Sequence, residues 1–137
     1  MTRGRVFIDA NIPLYVAGRE LPSRGPARRF MEGVHAGSID ACTSTEVLQE
    51  ILHRYVGLRR QDLAQSVYDL FVQICPTVLP VTLADTDRAR DLACASSTIS
   101  VRDAIHAAVM INNGIGIVAT FDTGFDAIEG IERAAMR

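Results

Sequence analysis

Three consecutive apolar residues, Val6-Phe7-Ile8, run straight into a carboxylate, Asp9. A strand with one wet face alternates apolar and polar residues. A strand apolar at every position is covered on both faces, as in a parallel sheet packed between helices. A second segment repeats the pattern: Ile115-Gly116-Ile117-Val118-Ala119-Thr120-Phe121-Asp122. Ending a buried strand on an unpaired charge is expensive. Two such ends side by side would repel and raise one another's pKa unless a cation lay between them. The economical expectation is a divalent-metal site at the carboxyl edge of a mainly parallel sheet.

The rest of the chain fits that sheet. Arg5 to Asp9 reads as the first strand, and Asn11 and Pro13 lead into a helix near Leu14 to Ala17. Gly18 to Pro26 reads as loop, Ala27 to Ala36 as a helix closed by Gly37, and Ile39 to Cys42 as a second strand. Thr43-Ser44-Thr45 offers caps for a helix to about Val56, with Val47, Leu48, Ile51, Leu52 and Tyr55 as its apolar stripe. Gly57 stops it. Gln61 to Ile74 follows as the second arm of an αα-hairpin, with Leu63, Val67, Leu70, Phe71 and Ile74 inward. Thr77 to Val81 is a third strand, Ala84 to Cys94 a helix, and Val101 to Asn113 a strongly apolar helix. Ile115 to Ala119 is a fourth strand and Ile131 to Arg133 an edge strand. Strands alternating with helices give an α/β/α sandwich, here one domain over residues 1–137. Sites in such sheets lie beyond the carboxyl ends of the strands, where strand order switches.

Composition removes several alternatives. The chain has 137 residues and no apolar run of the ~18 residues that a membrane span needs. Met1 to Arg5 precede no signal-type apolar region, so a cytoplasmic protein is expected. Cys42, Cys75 and Cys94 are scattered and form no C-x-x-C pair, which argues against zinc and against a disulfide framework. All 14 basic residues are arginine. Without lysine there is neither Schiff-base chemistry nor a Walker-type phosphate lysine. Arginine suits bidentate contact with phosphate, yet the net charge of −2 is no nucleic-acid signature by itself.

The remaining acids each have a structural as well as a functional reading. Asp9-Ala10-Asn11 suits a cap or Asx-turn, and Asn11 could equally orient the acid. Glu46 and Glu50 lie four apart on one helix. Glu50 borders the apolar stripe and Glu46 points nearly opposite, so Glu50 is the one expected to reach a cleft. Ser100-Val101-Arg102-Asp103 has the form of a capping box, which alone would explain Asp103; a helix N-terminus would also hold that carboxylate at a cleft. His106, one turn on, reads as a core histidine rather than a ligand. Asp122 is nearer the strand end than Asp126, which could fix a turn, and Thr120 is either a strand residue or a hydrogen-bond donor to the site. Taken together, Asp9, Glu50, Asp103 and Asp122 fall at element ends or cleft borders. Oxygen-only ligands suit Mg²⁺ or Mn²⁺.

Four stretches resemble PIN-domain ribonucleases of the VapC toxin type: Val6-Phe7-Ile8-Asp9-Ala10-Asn11, Thr43-Ser44-Thr45-Glu46-Val47-Leu48-Gln49-Glu50, Arg102-Asp103-Ala104-Ile105-His106-Ala107-Ala108 and Thr120-Phe121-Asp122-Thr123-Gly124-Phe125-Asp126. They occur in the family's order and span nearly the whole chain. The resemblance implies a Mg²⁺- or Mn²⁺-dependent endoribonuclease whose acids are Asp9, Glu50, Asp103 and Asp122. Asp9, Asp103 and Asp122 would be the metal ligands, and Asn11, Thr120 and Asp126 accessory. It further implies a homodimer and a small VapB-like antitoxin that reaches the acidic cleft. Arg24, Arg28 and Arg29, or Arg54, Arg59 and Arg60, could guide RNA toward the acids; solvated helix faces explain the same residues.

Other readings stay in view. A haloacid-dehalogenase-type phosphatase also begins with a strand and an aspartate. It wants a second aspartate where this chain has Asn11, and an assisting lysine that the chain lacks. A PIN-like domain that only binds RNA or protein would need none of the four acids, and a housekeeping nuclease of the same fold would need no antitoxin.

Overall fold

The computed structural model describes residues 4–18 and 22–136. Its sheet has five strands, all parallel, in the order β3-β2-β1-β4-β5. The strands are β1 Val6–Ile8, β2 Ala41–Ser44, β3 Val78–Leu79, β4 Ile117–Ala119 and β5 Glu132–Arg133. Six helices join them: α1 Asn11–Ala17, α2 Arg24–His35, α3 Thr45–Gly57, α4 Gln61–Ile74, α5 Leu83–Cys94 and α6 Val101–Asn112. This is an α/β/α fold.

β1 sits at the centre because it is the most apolar strand: Phe7 and Ile8 have no exposed surface. Each such side chain contributes about 1.5–3 kcal/mol when withdrawn from water. The chain builds outward from β1 to β2 and β3 on one side, then returns to lay β4 against β1 on the other. The switch in strand order therefore lies between β1 and β4, where Phe7 pairs Val118 and Ile8 pairs Ala119. The Asp9 amide closes the ladder on the Ala119 carbonyl at 3.1 Å. Buried Thr43 ties β2 to the same end by donating to the Ile8 carbonyl at 3.0 Å.

The helix hairpin expected from periodicity is present, with two faces revised. Ser44 caps α3 by accepting from the Val47 amide. Val47, Leu48, Ile51 and Tyr55 are buried, but Leu52 is exposed. In α4, Ala64, Val67 and Phe71 face inward while Leu70 is more than half exposed. The turn between the two helices depends on Arg59 rather than Gly57: Arg59 has φ 57° and Gly57 is still helical.

Other boundaries move for local reasons. α2 begins at Arg24, inside the expected loop, since a proline in a first helical turn gives up no intrahelical hydrogen bond. Residues 19–21 of that expected loop lie outside the described residues. Thr82 and Asp85 form a full capping box that starts α5. Ala89, Ala104 and Ala108 let α5 and α6 approach closely. No helix among the described residues is long and apolar enough to cross a membrane.

Candidate active site

Asp9 follows β1 directly and is 5% exposed. Its Oδ1 accepts from the Ala10 amide at 2.7 Å, and its Oδ2 from Thr120 Oγ1 at 2.8 Å and Asn11 Nδ2 at 3.3 Å. Asn11 also donates to Thr120 Oγ1 at 2.9 Å. Asn11 and Thr120 thus fix the acid across the β1–β4 junction. Burial raises the Asp9 pKa and nearby Glu50 adds to it, against His106, Thr120 and the Ala10 amide.

Asp103 opens α6, where only half of the expected capping box forms. The Asp103 amide donates to Ser100 Oγ at 3.1 Å, whereas the Asp103 carboxyl lies beside Gly124, as does that of Asp122. Burial, the Asp122 charge, the hydrogen bond to Asp122 and the Asp9 charge together push Asp103 up to about 6, partly offset by His106. Asp122 is exposed and caps the short 3-10 turn Thr123–Ala127 through the Gly124 amide at 2.8 Å. Its own amide donates to Thr120 Oγ1 at 3.0 Å. Gly124 makes the closeness of the two acids possible. A Cβ at that residue would lie 2.7 Å from Asp103 Oδ2 and 3.0 Å from Asp122 Oδ1.

Glu50 enters from α3. Its Oε1 lies 2.9 Å from His106 Nε2 and 3.6 Å from Arg102 Nε. His106 is fully buried, with its ring centroid 5.6 Å from Phe7 and 6.4 Å from Phe125. The same Nε2 lies 3.5 Å from Asp9 Oδ1. Burial lowers the His106 pKa, but Glu50, Asp9 and Asp103 outweigh burial and leave it raised. The core reading of His106 holds for its burial and is incomplete for its contacts. The signal that could have exposed those contacts is a turn of α6: His106 lies three residues after Asp103, on one helix face.

The structure thus gathers Asp9, Asp103, Asp122 and Glu50 around the switch point. Glu46 stands further out on the same groove, beside Gln49, Glu50, His53 and Arg54; it is not on the opposite side of the helix. Asp126 pairs with Arg133 at 2.8 and 3.1 Å. Arg24 donates to the Val16 carbonyl, Arg28 lies near Glu32, and Arg60 pairs with Asp62. Of the arginines singled out from sequence, Arg54 lines the groove at Glu50, together with Arg102, which sequence reasoning passed over.

These residues fit a divalent cation. They supply hard carboxylate oxygens, and Asp103 and Asp122 lie close enough across Gly124 to raise the Asp103 pKa. One set with a potential donor atom from each residue, all within 4.8 Å of one another, comprises Asp9, Glu50 and His106.

The PIN-domain family model matches residues 6–131. The chain belongs to the PIN-domain family. Within it, the chain is similar to ribonuclease VapC13 of Mycobacterium tuberculosis, 39% identical over 130 residues covering 95% of this chain and 99% of that protein. Ribonuclease VapC23 of M. tuberculosis is 34% identical over 117 residues, covering 85% and 92%. The fold matches the crystal structure of M. tuberculosis VapC20, a sarcin–ricin loop cleaving toxin, with TM-score 0.74, 22% identity and coverage of 89% and 93%. It also matches VapBC2 of Rickettsia felis bound to a promoter DNA fragment, with TM-score 0.76, 16% identity and coverage of 98% and 100%.

Proposed function

We propose that this PIN-domain chain is a Mg²⁺- or Mn²⁺-dependent endoribonuclease, the toxin of a toxin–antitoxin pair acting in the cytoplasm. The observation that carries the reading is the convergence of Asp9, Asp103 and Asp122 at the β1–β4 switch point, with Asp103 Oδ2 and Asp122 Oδ1 both crowded onto Gly124. Asp9, Asp103 and Asp122 would hold the ion. A divalent cation there supplies positive charge for the developing negative oxygens of a phosphodiester and acidifies a water. Glu50 keeps Oε1 on His106, which would leave Oε2 to orient a water or accept its proton. Arg54 and Arg102 stand at the rim and suit RNA phosphates, since guanidinium makes planar contacts with them.

Two partners belong to this reading. A homodimer is supported by apolar side chains left on the surface of α3 and α6, namely Leu52, Val56 and Val101. A small antitoxin is supported by the toxin–antitoxin complexes among the fold's neighbours. An apolar groove of about 190 Å³ among α1, α2 and α4, lined by Pro13, Val16, Met31, Leu70 and Phe71, suits an apolar anchor of such a partner.

The test is cleavage of end-labelled structured RNAs with Mg²⁺, with Mn²⁺ and with EDTA, beside Asp9→Asn, Asp103→Asn, Glu50→Gln and Glu46→Gln. Metal-dependent cutting is expected, lost in the first three variants and nearly intact in Glu46→Gln. Cutting that persists in EDTA or in Asp9→Asn overturns the reading. RNA binding without cutting by the wild type points to a binding module.

A further inference from the structure

We infer that His106 is the positioning residue of this site, holding Glu50 over Asp9 through its Nε2–H, and that it is not a metal ligand although it lies within ligand distance of both acids. The inference rests on the nuclease reading above and concerns a residue which that reading leaves out.

The orphaned atom of the ring decides between the two roles. His106 Nε2 faces Glu50 Oε1 at 2.9 Å and Asp9 Oδ1 at 3.5 Å. Both are carboxylate oxygens, so the hydrogen belongs on Nε2 in any form of the ring that satisfies them. On the other side, Nδ1 is buried and has no partner; it is the one such side-chain atom among the described residues. In the neutral ring a bare Nδ1 lone pair tolerates that pocket better than a stranded N–H, and in the charged ring Nε2 keeps its hydrogen as well, so Nε2 offers these two acids a donor in either form.

Ligation would reverse this arrangement. A metal on Nε2 needs the lone pair there, so the neutral ring would carry its only hydrogen on Nδ1. Ligating histidines pass that second N–H to a carboxylate, a carbonyl or water. Here Nδ1 has no such acceptor, and the ring is held near Phe7 and Phe125. Ligation would also remove the one hydrogen that spans Glu50 and Asp9. The ring therefore fits a donor wedge: α6 supplies it, α3 and β1 supply the acids, and the contact sets how far Glu50 stands from the metal-facing carboxylates.

Two measurements on the full chain test this. The first is a long-range proton–nitrogen NMR spectrum of histidine-labelled wild type, without and with Mg²⁺. A hydrogen is expected on Nε2 in both, whether or not Nδ1 also carries one; its loss from Nε2 with Mg²⁺ overturns the proposal. The second is Mn²⁺ affinity and RNA cleavage in His106→Gln, whose amide N–H reaches the Nε2 position, and in His106→Leu, which keeps bulk without a donor. The expected result is affinity within about threefold of wild type for Gln, and a loss of tenfold or more for Leu at unchanged circular dichroism. Leu binding Mn²⁺ as wild type does, or Gln failing as badly as Leu, overturns the positioning role. A Leu variant that does not fold leaves the NMR result to decide. A wild type that takes up no Mn²⁺ overturns the nuclease reading and this one with it, whereas a binding wild type beside an equally competent Leu variant overturns this one alone.

Discussion

Replacing Gly124 by alanine separates the needs of the site from those of the fold. The added carbon would meet Asp103 Oδ2 at 2.7 Å, where 3.4 Å is an ordinary contact. The carboxylate must retreat by roughly 0.7 Å, and a misplacement near 1 Å can cost on the order of 100-fold in rate. A loss of about 10- to 100-fold in RNA cleavage follows. Stability should move the other way or not at all. Gly124 is not in the left-handed region, and glycine-to-alanine changes at compatible backbone stabilise by about 0.4–1 kcal/mol through the unfolded chain. The atom that must yield is a side-chain end, not backbone. The assay is initial cleavage rate with saturating Mg²⁺, beside thermal unfolding without metal. Full activity in Gly124→Ala would show that the Asp103–Asp122 contact does not set the active geometry. A fall in rate matched by a fall in melting temperature would show that Gly124 serves the fold instead.

Asp103, with its pKa raised from 3.8 to about 6, binds a proton in the folded state that the unfolded chain has already released between those values. The metal-free protein therefore loses stability as pH rises from about 4 to 6. Asp9 and His106, both raised, act with the same sign. The rise in melting temperature on adding Mg²⁺ is expected to be larger at pH 7.5 than at pH 5, and the reverse order would refute the crowding. Burial pushes the thiols of Cys42 and Cys75 up to about 12 and about 11, while Cys94 is exposed. A thiol reagent at pH 8 should titrate one cysteine quickly and the other two only in denaturant. Arg59→Gly should stabilise by up to about 1 kcal/mol in urea unfolding, since left-handed backbone costs a non-glycine residue roughly 1–2 kcal/mol and glycine gives part of that back in chain entropy; a destabilised variant would mean the arginine side chain holds the turn.

The parallel sheet was legible because β1 and β4 are continuous apolar runs that end in acids. Asn11 and Thr120 were legible as neighbours of those ends. Three things were not. The Glu50–His106 contact joins residues 56 apart, which helical periodicity cannot see. The capping pattern at Ser100 described the Asp103 amide correctly but would have turned the carboxyl back to the Ser100 amide, a bond that does not form, because tertiary packing sets where that carboxyl lies. The exposure of Leu52 and Leu70 escaped the apolar stripe, since a stripe fixes which side of a helix is apolar and not how much of it the neighbours cover.

The central place of β1 has a consequence for synthesis. Asp9 is made 111 residues before its Thr120 partner, and β1 long before β4, the strand it pairs with at the switch point. A nascent chain can hold Asp9, Glu50 and Asp103 and still lack the switch point. We expect chains ending before Gly116 to cut no RNA, and an active truncation would refute this. Since domains fold as units during translation, a nuclease built in this order gains its switch point only once β4 has been made.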